Sequence, residues 1–216
     1  MHEAARQHML EHHVCGRGLT DDAILRALQS VPREEFVDHT QREAAYADTA
    51  LPIDFGQTIS QPYTVAFMCD ALELKPSDRV LEVGTGTGYG AAVLAQLAST
   101  VYSIERIPEL ADSARARLER LGIHNVEIRQ GDGTYGLSDA APFDAICVTA
   151  AAQTLPEAYR QQISHRGRIV IPLVEQGQRQ ALFRFAADGQ NLVREHLGAF
   201  RFVPLIGDHR PNSKAD

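Results

Sequence analysis

A chain of 216 residues, 44% of them hydrophobic, is long enough for one well-buried α/β domain, with at most a small appendage. Its 28 acidic against 21 basic residues, net charge −7, exclude a long phosphate backbone as the main partner, because such binding draws on clustered Lys and Arg. No apolar run reaches the roughly 18 residues of a membrane span, the start MHEAARQHMLEHH has no apolar signal core, and three Cys cannot all pair, so a reduced, cytoplasmic setting is expected.

Residues up to about 40 read as helical. Thr20 or Asp21 can cap a segment in which Ile24, Leu25, Leu28 and Val31 recur at helical spacing, and Pro32 closes it. His2, His8, His12 and His13 crowd the start, and His8 and His12 would share a helix face. Without HExxH or a Cys/His quartet, no metal site is expected. Residues 40–61 carry no sustained period and read as a loop, long enough for a functional role. Within it GQTISQP, residues 56–62, brackets Ile59 with the hydrogen-bonding side chains Gln57, Thr58, Ser60 and Gln61.

A helix is predicted from Pro62, with Val65, Met68, Cys69 and Leu72 on one face. A regular alternation follows. RVLEVG (79–84) is a buried strand, AAVLAQLA (91–98) a small-residue helix, TVYSIE (100–105) a strand, and PELADSARARLERLG (108–122) a helix stopped by Gly122. NVEIRQGD (125–132), FDAICVTA (143–150) and GRIVIPL (167–173) are further strands, with a helix around LPEAYRQQIS (155–164) before the last. Cys147, inside an apolar strand, reads as a small core residue. The alternation implies an α/β, doubly wound, mostly parallel sheet. Beyond residue 173 a hairpin turning at Asp188 and Gly189 is expected, antiparallel at one side of the sheet. The chain thus divides into a helical and loop extension (1–61), a core (62–173), a C-terminal hairpin (174–207) and a polar tail (208–216) expected to fray, all within one domain.

LEVGTGTGYG places Gly84, Gly86 and Gly88 between a strand and a helix, where absent Cβ atoms let the backbone approach a ligand beside free N–H groups. Glu105, ending the next strand about 20 residues on, can accept from ribose hydroxyls, and Asp132 with Gly133 would lie along the same rim. A dinucleotide turn reads GxGxxG; here the third Gly comes one residue early and Tyr89 stands in its place. Glu82, two residues before the first Gly, would repel a pyrophosphate but could help hold an ammonium group. S-adenosyl-L-methionine, with an adenosine, an amino-acid group and no phosphate, suits this pattern better than NAD.

The segments VPREEFV, AYADTALPI, GQTISQP, VLEVGTGTGYGAAVLA, VYSIERIPELA, GDGTYG, APFDAICVTAAA, GRIVIP and RFVPL resemble those of the protein-L-isoaspartate O-methyltransferase family, from about residue 10 to 206. GQTISQP is the distinguishing one. The resemblance implies a Rossmann-like methyltransferase fold and methyl transfer from S-adenosyl-L-methionine to the free carboxylate of L-isoaspartyl residues in damaged proteins and peptides, leaving S-adenosyl-L-homocysteine. It puts the active-site Ser at Ser60 and the cofactor contacts on Gln57, Thr58, Ile59 and Ser60, the Gly-rich turn, Glu105 with Arg106, and Asp132 with Gly133. It also places the acceptor peptide beside TAAA (149–152, with Ala150 and Ala151) and RFVPL (201–205, with Val203), while the hydroxyls of Thr58 and Ser60 can each donate a hydrogen bond to its carboxylate. No nucleic acid, membrane or metal partner is implied, and a monomer is expected.

Two departures are visible: Asp54 where many relatives have Gly, and Leu137 where bacterial relatives often carry an aromatic residue. Both would lie beside the site and bear on acceptor choice, so a same-fold methyltransferase for another carboxylate or peptide is the alternative. From the residues alone, Ser60 reads first as a helix N-cap ahead of Pro62, a role that need not exclude catalysis. RFVPL reads either as an ordinary sheet strand or as an edge that pairs with an extended peptide.

Overall fold

The computed structural model describes residues 2–189 and 191–208. The amino-terminal helix α1 (His2–His8) runs into a π-helical turn (Met9–Val14) and a 3-10 turn (Cys15–Arg17), followed by α2 (Asp22–Ser30). Asp21, not Thr20, caps α2, its carboxylate accepting from the N–H groups of Ala23 (2.8 Å) and Ile24 (3.0 Å). Val31 is already extended (φ −90°, ψ 110°), as a residue ahead of proline must be to avoid the Pro ring. The helix closes ahead of Pro32 as predicted, and the rest of the stretch expected to be helical forms 3-10 turns at Arg33–Phe36 and His39–Ala44.

The stretch expected to be an unstructured loop instead holds a small hairpin, β1 (Leu51–Pro52) antiparallel to β2 (Thr58–Ile59). Strands of two residues are too short to show an alternating pattern. The Asp54–Gly56 turn between them uses positive φ at Phe55 (59°) and Gly56 (66°). Next comes α3 (Pro62–Leu72), which buries Val65, Met68, Cys69 and Leu72 as predicted.

The remaining elements are β3 (Arg79–Val83), α4 (Tyr89–Ala95), β4 (Thr100–Glu105), α5 (Pro108–Arg120), β5 (Val126–Gln130), β6 (Phe143–Val148), α6 (Glu157–Gln162), β7 (Ile163–Val174), β8 (Gln180–Asp188) and β9 (Asn191–Ala199). Seven strands form one sheet in the order β5-β4-β3-β6-β7-β8-β9, parallel through β7 and antiparallel beyond it. The predicted hairpin is present, with Asp188 paired to Asn191 and Gly189 at φ 63°.

Several boundaries move, among them the ends of α4, at Ala95 instead of Ala98, and of β6, at Val148 instead of Ala150. β5 stops at Gln130, two residues short of Asp132; α6 yields to β7 at Ile163; and RFVPL is no strand, making only a parallel bridge between Pro204 and Ala151. Of the tail expected to fray, residues 209–216 lie outside the described residues.

Apolar side chains from both faces of the sheet fill two cores, one under α3, α4 and α5 and the amino-terminal helices, the other around Phe143, Tyr159 and Phe183. Successive connections leave β3 toward β4 on one side and β6 lies on the other. The crevice at such a reversal, outside the carboxyl ends of parallel strands, is where this architecture holds ligands. The amino-terminal extension is bound to this region by an uncommon device: Arg33 is fully buried, its Nε donates to the Ala45 carbonyl (2.7 Å), and its guanidinium lies 4.7 Å over the ring of Tyr89 at the start of α4.

Candidate active site

One cavity opens at the carboxyl ends of β3, β4 and β6. Its wall combines the Gly-rich turn, the GQTISQ segment, Glu105 to Ile107, Gly133, Thr149, Ala150 and residues 201–206. Thr149, the first residue of the TAAA segment that the resemblance puts beside the acceptor, is on this wall. Its N–H donates to Val83 O (2.9 Å) and its hydroxyl to Gly84 O (2.8 Å), so that β3 and β6 end side by side. A Cβ on Gly84 (φ 98°) would overlap that hydroxyl, which is why only Gly serves there.

Gly86 and Gly88 also take positive φ, at 53° and 91°, but they do different work. Gly86 is on the cavity wall, whereas Gly88 is set back against α5, where a Cβ would stand 3.3 Å from that of Ala114. A further glycine, Gly90 in the first turn of α4, was not singled out from the sequence although it lines the cavity. A side chain at 90 would collide with the Glu82 carboxyl Oε1. The signal was available: a Gly inside the first turn of a helix costs stability and calls for a packing reason.

Glu82 is 1% exposed and sits at the head of a buried chain of hydroxyls. Ser103 Oγ donates to Glu82 Oε2 (2.5 Å), and Thr85 Oγ1 lies 2.6 Å from Ser103 Oγ. Burial pushes the Glu82 carboxyl up to about 8, the neighbouring charge of Glu105 adds to the rise, and the bond from Ser103 opposes it. Glu105, also buried, accepts from Gly86 N through Oε2 (2.9 Å) and from Ile107 N through Oε1 (3.0 Å). It ties the turn after β3 to the turn after β4. Arg106 is exposed on the cavity lip.

Asp132 is not on the wall. Its Oδ1 accepts from Thr134 N (2.9 Å) and Thr134 Oγ1 (2.6 Å), and its Oδ2 from Asp208 N (2.7 Å), so it braces the 3-10 turn Gly133–Tyr135. Gly133 does line the cavity, and a Cβ there would overlap Val83.

In GQTISQP, Ile59 is 5% exposed and anchors the segment in the core. Side chains alternate along a strand, so the neighbours Thr58 and Ser60 turn the other way. The N-cap alternative for Ser60 fails: Gln61 occupies that position, without a side-chain capping bond. Among the described residues neither the Thr58 nor the Ser60 hydroxyl has a hydrogen-bond partner within the chain, and both line the cavity. The flanking side chains are occupied, Gln57 Nε2 donating to Phe55 O (3.1 Å) and Gln61 Nε2 to Asp48 (2.7 Å).

Ala150 and Val203 are on the wall and Ala151 is not; its N–H and carbonyl are spent on Val203 O (2.8 Å) and Leu205 N (2.7 Å). Asp54 and Leu137, the two departures expected beside the site, are also absent from the wall. Cys69 and Cys147 face the cavity floor, but burial pushes the Cys69 thiol up to about 12 and that of Cys147 well above its ordinary value, so neither is a nucleophile. Among the described residues no group of three or more His, Cys, Asp or Glu could hold a metal ion; the rings of His8 and His12 stack at 4.2 Å instead.

A model of the family described as protein-L-isoaspartate(D-aspartate) O-methyltransferase matches residues 4–210. The chain belongs to that family. It is 53% identical over 206 residues to protein-L-isoaspartate O-methyltransferase 2 of Pelobacter propionicus, covering 95% of this chain and 92% of the relative. A solved protein-L-isoaspartate O-methyltransferase superposes with a TM-score of 0.85 at 31% identity, covering 96% of this chain and 67% of that one. A Plasmodium falciparum protein assigned to the same activity, solved in complex with S-adenosyl-L-homocysteine, gives a TM-score of 0.79 at 25% identity over 95% and 98% of the two chains. The sheet and its flanking helices are thus a Rossmann-like methyltransferase fold, with the antiparallel hairpin at one edge.

Proposed function

We propose that the chain is an S-adenosylmethionine-dependent O-methyltransferase that esterifies the free carboxylate of L-isoaspartyl residues in damaged proteins and peptides. The observation that carries this reading is a single cavity uniting the Gly84–Gly86 turn and Glu105 with the partnerless hydroxyls of Thr58 and Ser60. Its residues fit the cofactor. The turn offers bare backbone, Glu105 an acceptor at the end of β4, Ile104, Ile107 and Met68 an apolar lining, and Glu82 a buried carboxyl that can ionise against a cationic amino group. When bound, S-adenosylmethionine supplies an electrophilic methyl group on a positively charged sulfur.

An isoaspartyl carboxyl ionises near ~4, so at neutral pH the acceptor oxygen already carries its negative charge and no residue need remove a proton. What the chain must do is position it. Ser60 and Thr58 can each donate one hydrogen bond to the carboxylate, and positioning of this kind is worth roughly 7 to 11 kcal/mol in favourable cases. The transfer cancels opposite charges, so a Lys or Arg on the attacking oxygen would hold the reactants more firmly than the transition state. Neutral hydroxyls avoid that loss. The ester formed is a better leaving group than the acid, so the backbone nitrogen can close a succinimide that reopens in part to normal aspartate.

Incubation with isoaspartyl and aspartyl versions of one peptide and labelled cofactor tests the reading. Label is expected in the isoaspartyl peptide alone, and equal labelling, or none, overturns it. Ser60→Ala is expected to lower kcat about 10- to 100-fold while the affinity for S-adenosylhomocysteine stays within twofold, the loss of one hydrogen bond to a charged group being about 1.5–3 kcal/mol. Parental turnover in that variant would remove Ser60 from the machinery.

With an acidic net charge and three unpaired thiols, the same reading has the enzyme working as a cytoplasmic monomer without nucleic-acid partners. No helix among the described residues is long and apolar enough to cross a membrane.

A further inference from the structure

A second, open groove adjoins the candidate active site and shares with it a wall that includes Thr58, Gln61, Thr64, Arg201, Phe202 and Val203. Its floor is a row of four aromatic rings, Tyr63, Phe67, Phe200 and Phe202, each only partly buried, with successive centroids 5.8, 5.2 and 6.4 Å apart. Helix α3 supplies two of them at i, i+4 spacing and the chain after β9 the other two.

The row is held in place from both ends. Arg17 stacks 4.6 Å over Tyr63 and pairs with Asp48, which also accepts from Gln61. At the other end the Gln180 amide grips the Phe202 backbone twice, its Nε2 donating to Phe202 O (3.2 Å) and its Oε1 accepting from Phe202 N (2.7 Å). A contiguous row of half-covered rings leaves apolar area in water unless something covers it.

We infer that this groove is a subsite for a large apolar or aromatic side chain of the acceptor peptide, within two residues of the isoaspartate. The inference rests on the proposed function, since the groove gains its occupant by continuity with the cavity that holds the reacting carboxylate. An extended peptide advances about 3.3 Å per residue, so a neighbour one or two places away reaches past Thr58 and Val203 onto the rings. Ring-on-ring packing there adds to the area buried. The enzyme therefore reads more than the damaged linkage: the chain accepts many sequences but favours those with an aromatic flank on one side.

The chain contains no Trp, so a Trp placed in the peptide is a clean fluorescent reporter. Isoaspartyl peptides carrying Trp or Ala at each of the two positions on either side would be compared with the wild-type enzyme saturated with S-adenosylhomocysteine for binding, and with S-adenosylmethionine for turnover. At one position Trp is expected to lower KM about tenfold relative to Ala, and its emission to shift to the blue on binding. Phe67→Ala and Phe200→Ala are each expected to bring the Trp-to-Ala ratio of KM values close to one. Methylation of all peptides with equal KM and unshifted emission overturns the subsite and leaves the activity standing. Failure to methylate any of them overturns the activity itself. If the variants do not fold, the wild-type emission and KM comparison still decides.

Discussion

Glu105→Ala is expected to lower the affinity for S-adenosylhomocysteine at least 100-fold and, in the ligand-free chain, to lower stability by about 2–4 kcal/mol. The double effect follows from the two jobs of one carboxylate. Were Glu105 only an acceptor for ribose hydroxyls, the empty protein would not miss it. But its two oxygens take the N–H groups of Gly86 and Ile107, at 2.9 and 3.0 Å, in a site where water has little access. Hydrogen bonds to a charged group are worth about 1.5–3 kcal/mol each, and the orphaned donors add to the cost. The Gly-rich turn, freed from its tie to β4, must then be ordered by the ligand itself. Glu105→Gln, which keeps one acceptor oxygen, should recover part of both losses. Calorimetric titration and urea unfolding of the three proteins measure the two effects separately. Unchanged unfolding of Glu105→Ala would show that the tie contributes nothing to the empty site.

The double role of Glu105 marks the boundary of what could be read from the chain before its structure. The alternation of strand and helix was legible because strands of a parallel sheet are covered on both faces and appear as nearly unbroken apolar runs, as RVLEV and FDAICV do. The start of α3 at Pro62 and the stop of α5 ahead of Gly122 were legible because Pro and Gly act locally. The strand-end acid was visible too, since its spacing from the Gly-rich turn is a property of the fold. Its bonds to Gly86 and Ile107 were not, because they join residues that only the sheet brings together.

The same holds elsewhere. REEF, residues 33–36, has three charged residues in four, yet Arg33 is wholly buried and stacked on Tyr89, 56 positions along the chain, in an environment that lowers its pKa by desolvation. Asp54 and Leu137 look close to the site in sequence and are not on the cavity wall. Ser60, two residues ahead of Pro62, reads first as a cap, and only the backbone, with Gln61 at the N-cap position, removes that reading.

Glu82→Gln should change how stability depends on pH. In the unfolded chain the Glu82 carboxyl ionises near its ordinary value of 4.5, whereas burial in the fold pushes it up to about 8. Between those limits the folded protein keeps a proton that the unfolded chain gives up. The contribution of this group is therefore full below about 4.5 and is lost progressively as the pH rises toward 8, on the order of a few kcal/mol at about 1.36 kcal/mol per pKa unit. The amide does not titrate, so the stability of Glu82→Gln relative to the parent should climb steadily from pH 5 to pH 8. Urea unfolding of both proteins across that range gives the difference directly, and parallel curves would refute the raised ionisation.

Binding should show the same proton. A ligand with a cationic amino group near Glu82 favours the ionised carboxylate, so S-adenosylhomocysteine should displace close to one proton from the parent at pH 7 and none from Glu82→Gln. Titration calorimetry in buffers of different ionisation enthalpy counts those protons. The hydroxyl chain explains why the carboxyl can serve in both states: Ser103 donates to Glu82 at 2.5 Å, and Thr85 stands 2.6 Å behind it, ready to support the charge once the amino group arrives. An equal proton count in the two proteins would assign the ammonium to another acceptor and leave Glu82 as a neutral wedge beneath Gly90.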